Sequence, residues 1–338
     1  AGLQAAKSAA ATGVRVLLVE QTPHWGGRAP VDGVVIDGMP AQDWIASALA
    51  DLSAHDNVVI RNRTQGSGVY DHGYALAYER VADHTPGDGR PRHRLWRVRC
   101  KQIVTATGGI ERPLSFAGND IPGVMLAGAV RDYVLNYGVS PGDRTVVVTN
   151  NDDAYRTALT LKQAGLEVPV ILDARAEGGG DLMGEAITAG IRVELGRGIA
   201  QVLGGKRVTG LQICSQAGEG AVLEEIGCDV VATSGGWSPV VHLWSHCGGK
   251  LNWDADQAMF RPDPNQPPLS ADGEGFVRVA GLANGHLRSA AIIADASVQG
   301  AAAAKAAGGN TKRVVLAKAE DFEERPLSPV WLMPQGAS

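Results

Sequence analysis

Residues 1–27, AGLQAAKSAAATGVRVLLVEQTPHWGG, decide the fold. The first twelve are small and helix-favouring, Gly13 stops them, and VRVLLVE (14–20) is a β-branched and leucine-rich run that reads as a buried strand. A dinucleotide-binding unit needs a glycine turn, a helix N-terminus facing a pyrophosphate, and an acid at the end of the next strand. Ala1-Gly2 opens the helix as the last two residues of a G-x-G-x-x-G turn would, and Glu20 ends the strand 18 positions later. A carboxylate at that place accepts hydrogen bonds from both adenosine ribose hydroxyls and repels a 2′-phosphate. The pattern therefore predicts NAD rather than NADP, with Gln21 beside the ribose. Alone, a glutamate at a strand end is an ordinary solvated charge.

Two pieces downstream strengthen the reading. Gly26-Gly27 follows Glu20 in an E-x5-G-G spacing similar to that of two-dinucleotide-domain flavoproteins, where main chain passes close to the pyrophosphate. Ala106-Thr107-Gly108 closes a strand as the A-T-G of the same superfamily does.

Between them, 39–54 carries a helical apolar stripe and 57–64 reads as a strand. GVYDHGYALAYERV (68–81) and RLWRVRCKQIVTATGG (94–109) alternate like two strands of a meander. After the Pro-punctuated link RPLSFAGNDIPGV (112–124) a second series begins: helix 126–137, strand 144–149, helix 153–165, strand 168–173, helix 181–189 and strand 191–195. A hairpin over 198–215 and the strand CDVVATSGG (228–236) complete it. Strands alternating with helices of this length predict parallel, doubly wound sheets, and the two similar series suggest a duplicated unit. FVRVAGLANG (276–285) and an Ala-rich helix (290–307) return to the first domain. The expected division is a first dinucleotide-binding domain over 1–112, a second, degenerate one over 113–240, and a return over 241–310. The charged, Pro-bearing 311–338 reads as a linker toward a further domain.

The second series keeps the fold and loses the ligand. After RTVVVT (144–149) the glycine slots fall on Asn150, Asp152 and Tyr155, so main chain cannot close on a pyrophosphate. Asp152 and Asp153 are expected to cap the following helix and fill its anion site themselves. Two-domain flavoproteins also end on a Gly-Asp whose Asp binds the ribityl chain of FAD; here Gly281 is followed by Leu282, which favours NAD over FAD in the first domain.

Composition agrees and excludes little else. The 44 glycines suit an α/β protein rich in strand-to-helix turns, and the net charge of −5 offers no general attraction to nucleic acid or anionic lipid. No apolar run reaches transmembrane length. The start lacks the pattern of a secretory signal, and without a Met it reads as a cut end. Cys100, Cys214, Cys228 and Cys247 form no CxxC pair, so disulfides are not expected and a reducing cytoplasm fits. His242, His246 and Cys247 are read as packing beside Trp244 rather than as metal ligands.

The segments 106–159, 228–254 and VAGLANG (279–285) closely resemble the alpha subunit of heterotetrameric sarcosine oxidase, and the resemblance covers nearly the whole chain. Parts of it are shared with alpha subunits of opine oxidases, dye-linked proline dehydrogenases and cyanide-forming glycine oxidoreductases. The resemblance implies an α/β fold of two Rossmann-like doubly wound domains of the glutathione-reductase type, the second inserted in the first. It implies NAD held by Gly2, Glu20, Gly26, Gly27, Thr107 and Gly108, with Gln21, Ala106 and Gly281 alongside. It implies FAD in a beta subunit where sarcosine is oxidised, FMN at the alpha–beta interface where oxygen is reduced, and tetrahydrofolate in a further C-terminal domain. Smaller subunits complete the heterotetramer, no nucleic acid or membrane takes part, and no catalytic residue is expected in this chain. The rival readings are a self-sufficient flavin reductase disfavoured by Asp152 and Leu282, a non-catalytic nucleotide-binding scaffold, and a subunit of a related amine, imino-acid or opine dehydrogenase.

Overall fold

In the computed structural model, which describes residues 1–334 apart from 271, 311 and 313, the chain divides into two compact units. Unit 1 comprises Ala1–Gly109, Pro239–Ala255 and Met259–Asp321; unit 2 comprises Ile110–Ser238, Asp256–Ala258 and the chain from Phe322. The α-helices, in chain order, are α1 (Gly2–Ala10), α2 (Ala41–Ser53), α3 (Ala127–Tyr137), α4 (Asp153–Gln163), α5 (Asp181–Thr188), α6 (His242–His246) and α7 (Ser289–Ala306). The class is α/β, as the alternating pattern predicts.

Unit 1 contains two parallel strand pairs, Val16–Val19 with Val58–Arg61 and Ile103–Thr105 with Val277–Val279. α1 and α2 bury Leu3, Ala6, Trp44, Ile45 and Leu52 in one core, where each large apolar side chain contributes about 1.5–3 kcal/mol. The alanines of α7 serve a different purpose. A Cβ on Gly300 would lie 2.3 Å from the Ala5 carbonyl oxygen, so α1 and α7 cross with their backbones in contact. Larger side chains in place of Ala296, Ala303 or Ala304, all buried, would drive them apart.

The meander differs from its expected form. Residues 68–81 are not one strand: Thr64–Tyr70 turns back at Asp71-His72-Gly73 into Tyr74–Arg80, and His93–Arg99 adds the third antiparallel strand. His72 and Gly73 take φ of 59° and 64°, which a continuous strand cannot contain. The run 94–109 likewise breaks after Arg99, and its second half, Ile103–Thr105, joins Val277–Val279 instead.

Unit 2 is built on a five-stranded parallel sheet, in the order Val124–Leu126, Val230–Ser234, Thr145–Thr149, Ile171–Asp173, Val193–Leu195. Both faces are covered, which is why TVVVT and VVATS are buried at every position and do not alternate between apolar and polar residues. Val146 and Val148 point into one core, while Val147 points into the other, with α3, α4 and α5. The first core is closed by an antiparallel sheet of Arg197–Gly204, Val208–Ser215 and Val222–Gly227. Its third strand escaped sequence reading because VLEEIG sits at an exposed edge and buries only Ile226.

The expectation of a linker over 311–338 needs correction for 322–334. Phe322 packs on the helix-side core of unit 2 and Trp331 on its other core, where Met333 is 1 % exposed. Apolar residues spaced too widely for a helix or strand pattern gave no sign of this packing. Thr311, Arg313 and 335–338, within the same expected linker, lie outside the described residues.

Candidate functional site

Three segments of unit 1 meet at the start of α1. A Cβ on Gly2 would lie 3.5 Å from the Ala106 Cβ and 4.0 Å from Leu18 Cδ1, so the helix begins beside the ends of the strands Val16–Val19 and Ile103–Thr105. Gly281 closes from a third side; its φ is 71° and a Cβ there would lie 2.6 Å from that of Ala1. Among the described residues no side chain caps α1, and no acid lies in its first turn.

Gly281 is held by a residue that sequence reading missed. Asp295 of α7 accepts the Gly281 N–H at 2.7 Å, the Asn284 amide at 3.1 Å and the Gln299 amide at 3.2 Å. A lone carboxylate inside the Ala-rich run SAAIIADASVQGAAAAKA was the available signal.

Glu20 is fixed at its strand end by main chain, donating to the Arg61 carbonyl at 2.9 Å and accepting from Thr64 N–H at 2.7 Å. Its Oε1 accepts from the Thr22 N–H at 2.9 Å and the Thr22 hydroxyl at 3.1 Å; Oε2 has no partner among the described residues. Gln21 is exposed, and its carbonyl accepts from Arg80 at 2.7 Å. Gly27 and Gly108 have open space where a Cβ would stand. A Cβ on Gly26 would lie 2.1 Å from Ile45 Cδ1, so that glycine serves the approach of its loop to α2. Thr107 donates its hydroxyl to the Val240 carbonyl at 2.6 Å, and Val240 N–H returns a bond to Gly108 at 2.9 Å. Gly2, Ala106 and Gly281 thus converge on α1, with Glu20 two residues beyond Leu18. Gly26 and Thr107 are committed to holding their own turns.

In unit 2 the residues in the glycine slots hold protein instead of closing on a turn. Asn150 donates to the carbonyls of Ser328 at 2.8 Å and Val330 at 3.0 Å. Asp152 receives Arg175 Nη2 at 2.6 Å, Gly180 N–H at 3.0 Å and Arg325 N–H at 2.7 Å. Tyr155 donates to Asp173 at 2.8 Å, and burial together with that carboxylate pushes its phenol up. Burial works against the Arg175 charge, but Asp173 and Asp152 outweigh it and hold the guanidinium firmly protonated. The expectation that Asp152 and Asp153 cap α4 is corrected: Asn151 Oδ1 accepts the Asp153 N–H at 3.0 Å, and Asp153 pairs with fully buried Arg131. Both carboxylates pair instead with buried arginines, which are stronger partners than main-chain amides.

Nearby, Glu111 is 5 % exposed and accepts the Gly128 N–H at 2.8 Å. Burial first, and the Asp153 charge second, push its carboxyl up to about 7. The four cysteines are free; burial pushes the Cys228 thiol up to about 12 and that of Cys247 up to about 11. His246 packs edge-on to Tyr70 at 5.0 Å.

No protein-family model matches the chain. It is 38 % identical to the sarcosine oxidase alpha subunit of Corynebacterium sp. (strain P-1), over 99 % of this chain and 34 % of that protein. It is 36 % identical to that of Rhizobium meliloti (strain 1021), over 98 % of this chain and 32 % of the relative. An opine oxidase subunit of Agrobacterium tumefaciens (strain Ach5) is 27 % identical over 87 % of this chain and 64 % of its own length. Among solved structures, L-proline dehydrogenase from P. horikoshii superposes with a TM-score of 0.68 at 20 % identity, covering 92 % of this chain and 54 % of that one. Thioredoxin reductase from T. acidophilum gives 0.62 at 17 %, covering 90 % and 93 %. At such identities these two speak for the fold alone. This chain spans about a third of the length of the sarcosine oxidase alpha subunits, and over that third it belongs with them.

Proposed function

We propose that the protein is the NAD-binding alpha subunit of a cytoplasmic heterotetrameric sarcosine oxidase. In this reading it binds nucleotide and helps assemble the complex, and the oxidation of sarcosine to glycine takes place on a beta subunit. The observation that carries the nucleotide part is Glu20, at the carboxyl end of its strand with Oε2 unpartnered among the described residues. The oxidase part rests on the 36–38 % identity to sarcosine oxidase alpha subunits.

The residues present fit NAD. Glu20 would accept the adenosine ribose hydroxyls, the uncapped start of α1 would face the phosphates, and the space at Gly27 and Gly108 would admit the dinucleotide against main chain. Bound there, NAD supplies a nicotinamide able to carry a hydride. Leu282 offers no acceptor to a ribityl chain, so FAD and FMN belong to or border the beta subunit, and tetrahydrofolate to a further domain. The products would be glycine, H2O2 and a one-carbon unit passed to tetrahydrofolate or released as formaldehyde. A second reading, a subunit of an opine or proline dehydrogenase, is favoured by the opine oxidase relative and by the fold of L-proline dehydrogenase.

The test is to purify the protein, denature it and identify what is released, then assay sarcosine with and without a beta subunit. NAD without FAD, and turnover only with the partner, is the expected result. Stoichiometric FAD in this chain, or turnover without the partner, would refute it.

A further inference from the structure

We propose that residues 322–333 are a built-in occupant of the ligand crevice of unit 2, so that this unit's own chain lies where an open parallel sheet would take a nucleotide. The inference does not rest on the sarcosine reading.

Parallel α/β sheets bind their ligands outside the carboxyl ends of the strands, with anions at the N-terminus of the helix that follows. In unit 2 the ends of the three central strands are Ser234, Thr149 and Asp173, and the helix is α4. The chain from Phe322 crosses all three. Ser328 donates its N–H to Asn150, just past Thr149, at 3.0 Å. Arg175, two residues past Asp173, donates to the Pro326 carbonyl at 3.3 Å. Trp331 donates its indole N–H to the Gly235 carbonyl, just past Ser234, at 2.8 Å.

The segment also binds the residue that stands at the start of that helix, whose Asp153 N–H is already taken by Asn151 Oδ1. Asp152, at the N-cap of α4, places a carboxylate there, and that carboxylate is saturated by Arg175, Gly180 N–H and Arg325 N–H. The segment is locked at both ends. Glu323 and Asp181 exchange bonds of 2.8 and 3.0 Å, while Met333 N–H reaches Ser115 at 2.9 Å and its side chain is buried. One position shows how closely it is fitted: a Cβ on Gly180 would lie 1.9 Å from the Glu323 carbonyl oxygen. Loss of the glycine turn and gain of a covalent occupant are therefore one adaptation, since Asn150 and Asp152 each bind the segment through the atoms that replaced glycine.

Amide hydrogen exchange on the intact chain tests this. Peptides over 322–333 should exchange on the order of 100-fold more slowly than unstructured chain, and millimolar NADH or NADPH should leave that protection unchanged. Gly180→Ala should speed exchange over 322–328 by about tenfold or more while strand 145–149 stays protected. Asn150→Ala should do the same over 326–331, and decides the matter if Gly180→Ala does not fold. Unprotected 322–333 in the wild type, protection altered by either nucleotide, or Asn150→Ala indistinguishable from wild type would each overturn the proposal.

Discussion

Glu20 combines a rigid backbone with a carboxylate that is only half engaged, since Thr22 holds Oε1 and main-chain bonds to Arg61 and Thr64 hold the residue. Replacing it with alanine removes hydrogen bonds to a charged acceptor, so Glu20→Ala should weaken NAD binding by about 1–3 kcal/mol. It should also narrow the gap to NADP, because the repulsion of a 2′-phosphate goes with it; calorimetric titration with both nucleotides reads the two effects. Gly281 is the opposite kind of residue, chosen for what it lacks. Gly281→Ala combines a φ of 71° with a Cβ 2.6 Å from that of Ala1, and should cost about 1–3 kcal/mol of stability in urea melts. Glu111 makes a pH prediction. Its folded value of about 7 lies above the usual glutamate value of 4.5, so between the two the folded state holds more protons than the unfolded state. Its contribution to stability is full below that window and is lost as pH rises through about 7. Melts from pH 4 to 8 should show the decline, and Glu111→Gln should flatten it.

The helices α1 and α7 depend on glycine at their crossing, with Ala5 main chain against Gly300. Gly300→Ala forces that contact open and should destabilise by about 1–3 kcal/mol, read as a lowered urea midpoint. In unit 2 the strand ends depend on charge. Arg175 is the shared partner of Asp152 and Asp173, both nearly or fully buried, so Arg175→Ala leaves two carboxylates without their cation. A loss of about 3–5 kcal/mol is expected, far above that of an exposed pair such as Arg192–Glu224. The elements with strong periodicity were legible in advance: α2, α3, α4, α7 and the apolar strands of the five-stranded sheet. The meander was not, because its turn is three residues, Asp71-His72-Gly73, inside an otherwise alternating run. The edge strand Val222–Gly227 was not, because its burial is slight.

Each unit has parallel strands whose ends a nucleotide motif could use, and the two are in different conditions. In unit 1 the candidate glycines and Glu20 stand out by spacing, since the motif they would form is local in sequence. Asp295, which holds Gly281, was hidden because its role depends on the return of the chain through α7. In unit 2 the missing glycines were readable but the occupant was not, because 322–333 binds through main-chain groups that any sequence possesses. The proposed assignment of the two sites predicts a number and a kind: one dinucleotide per chain, in unit 1, and NAD in preference to NADP. Equilibrium dialysis of the purified protein against radiolabelled NAD, with NADP as competitor, measures both at once. Saturation at one NAD per chain is expected, with NADP a weak competitor and Glu20→Ala lowering the affinity. Two NAD per chain, NADP competing on equal terms, or an affinity unmoved by Glu20→Ala would show the assignment of the two sites to be wrong.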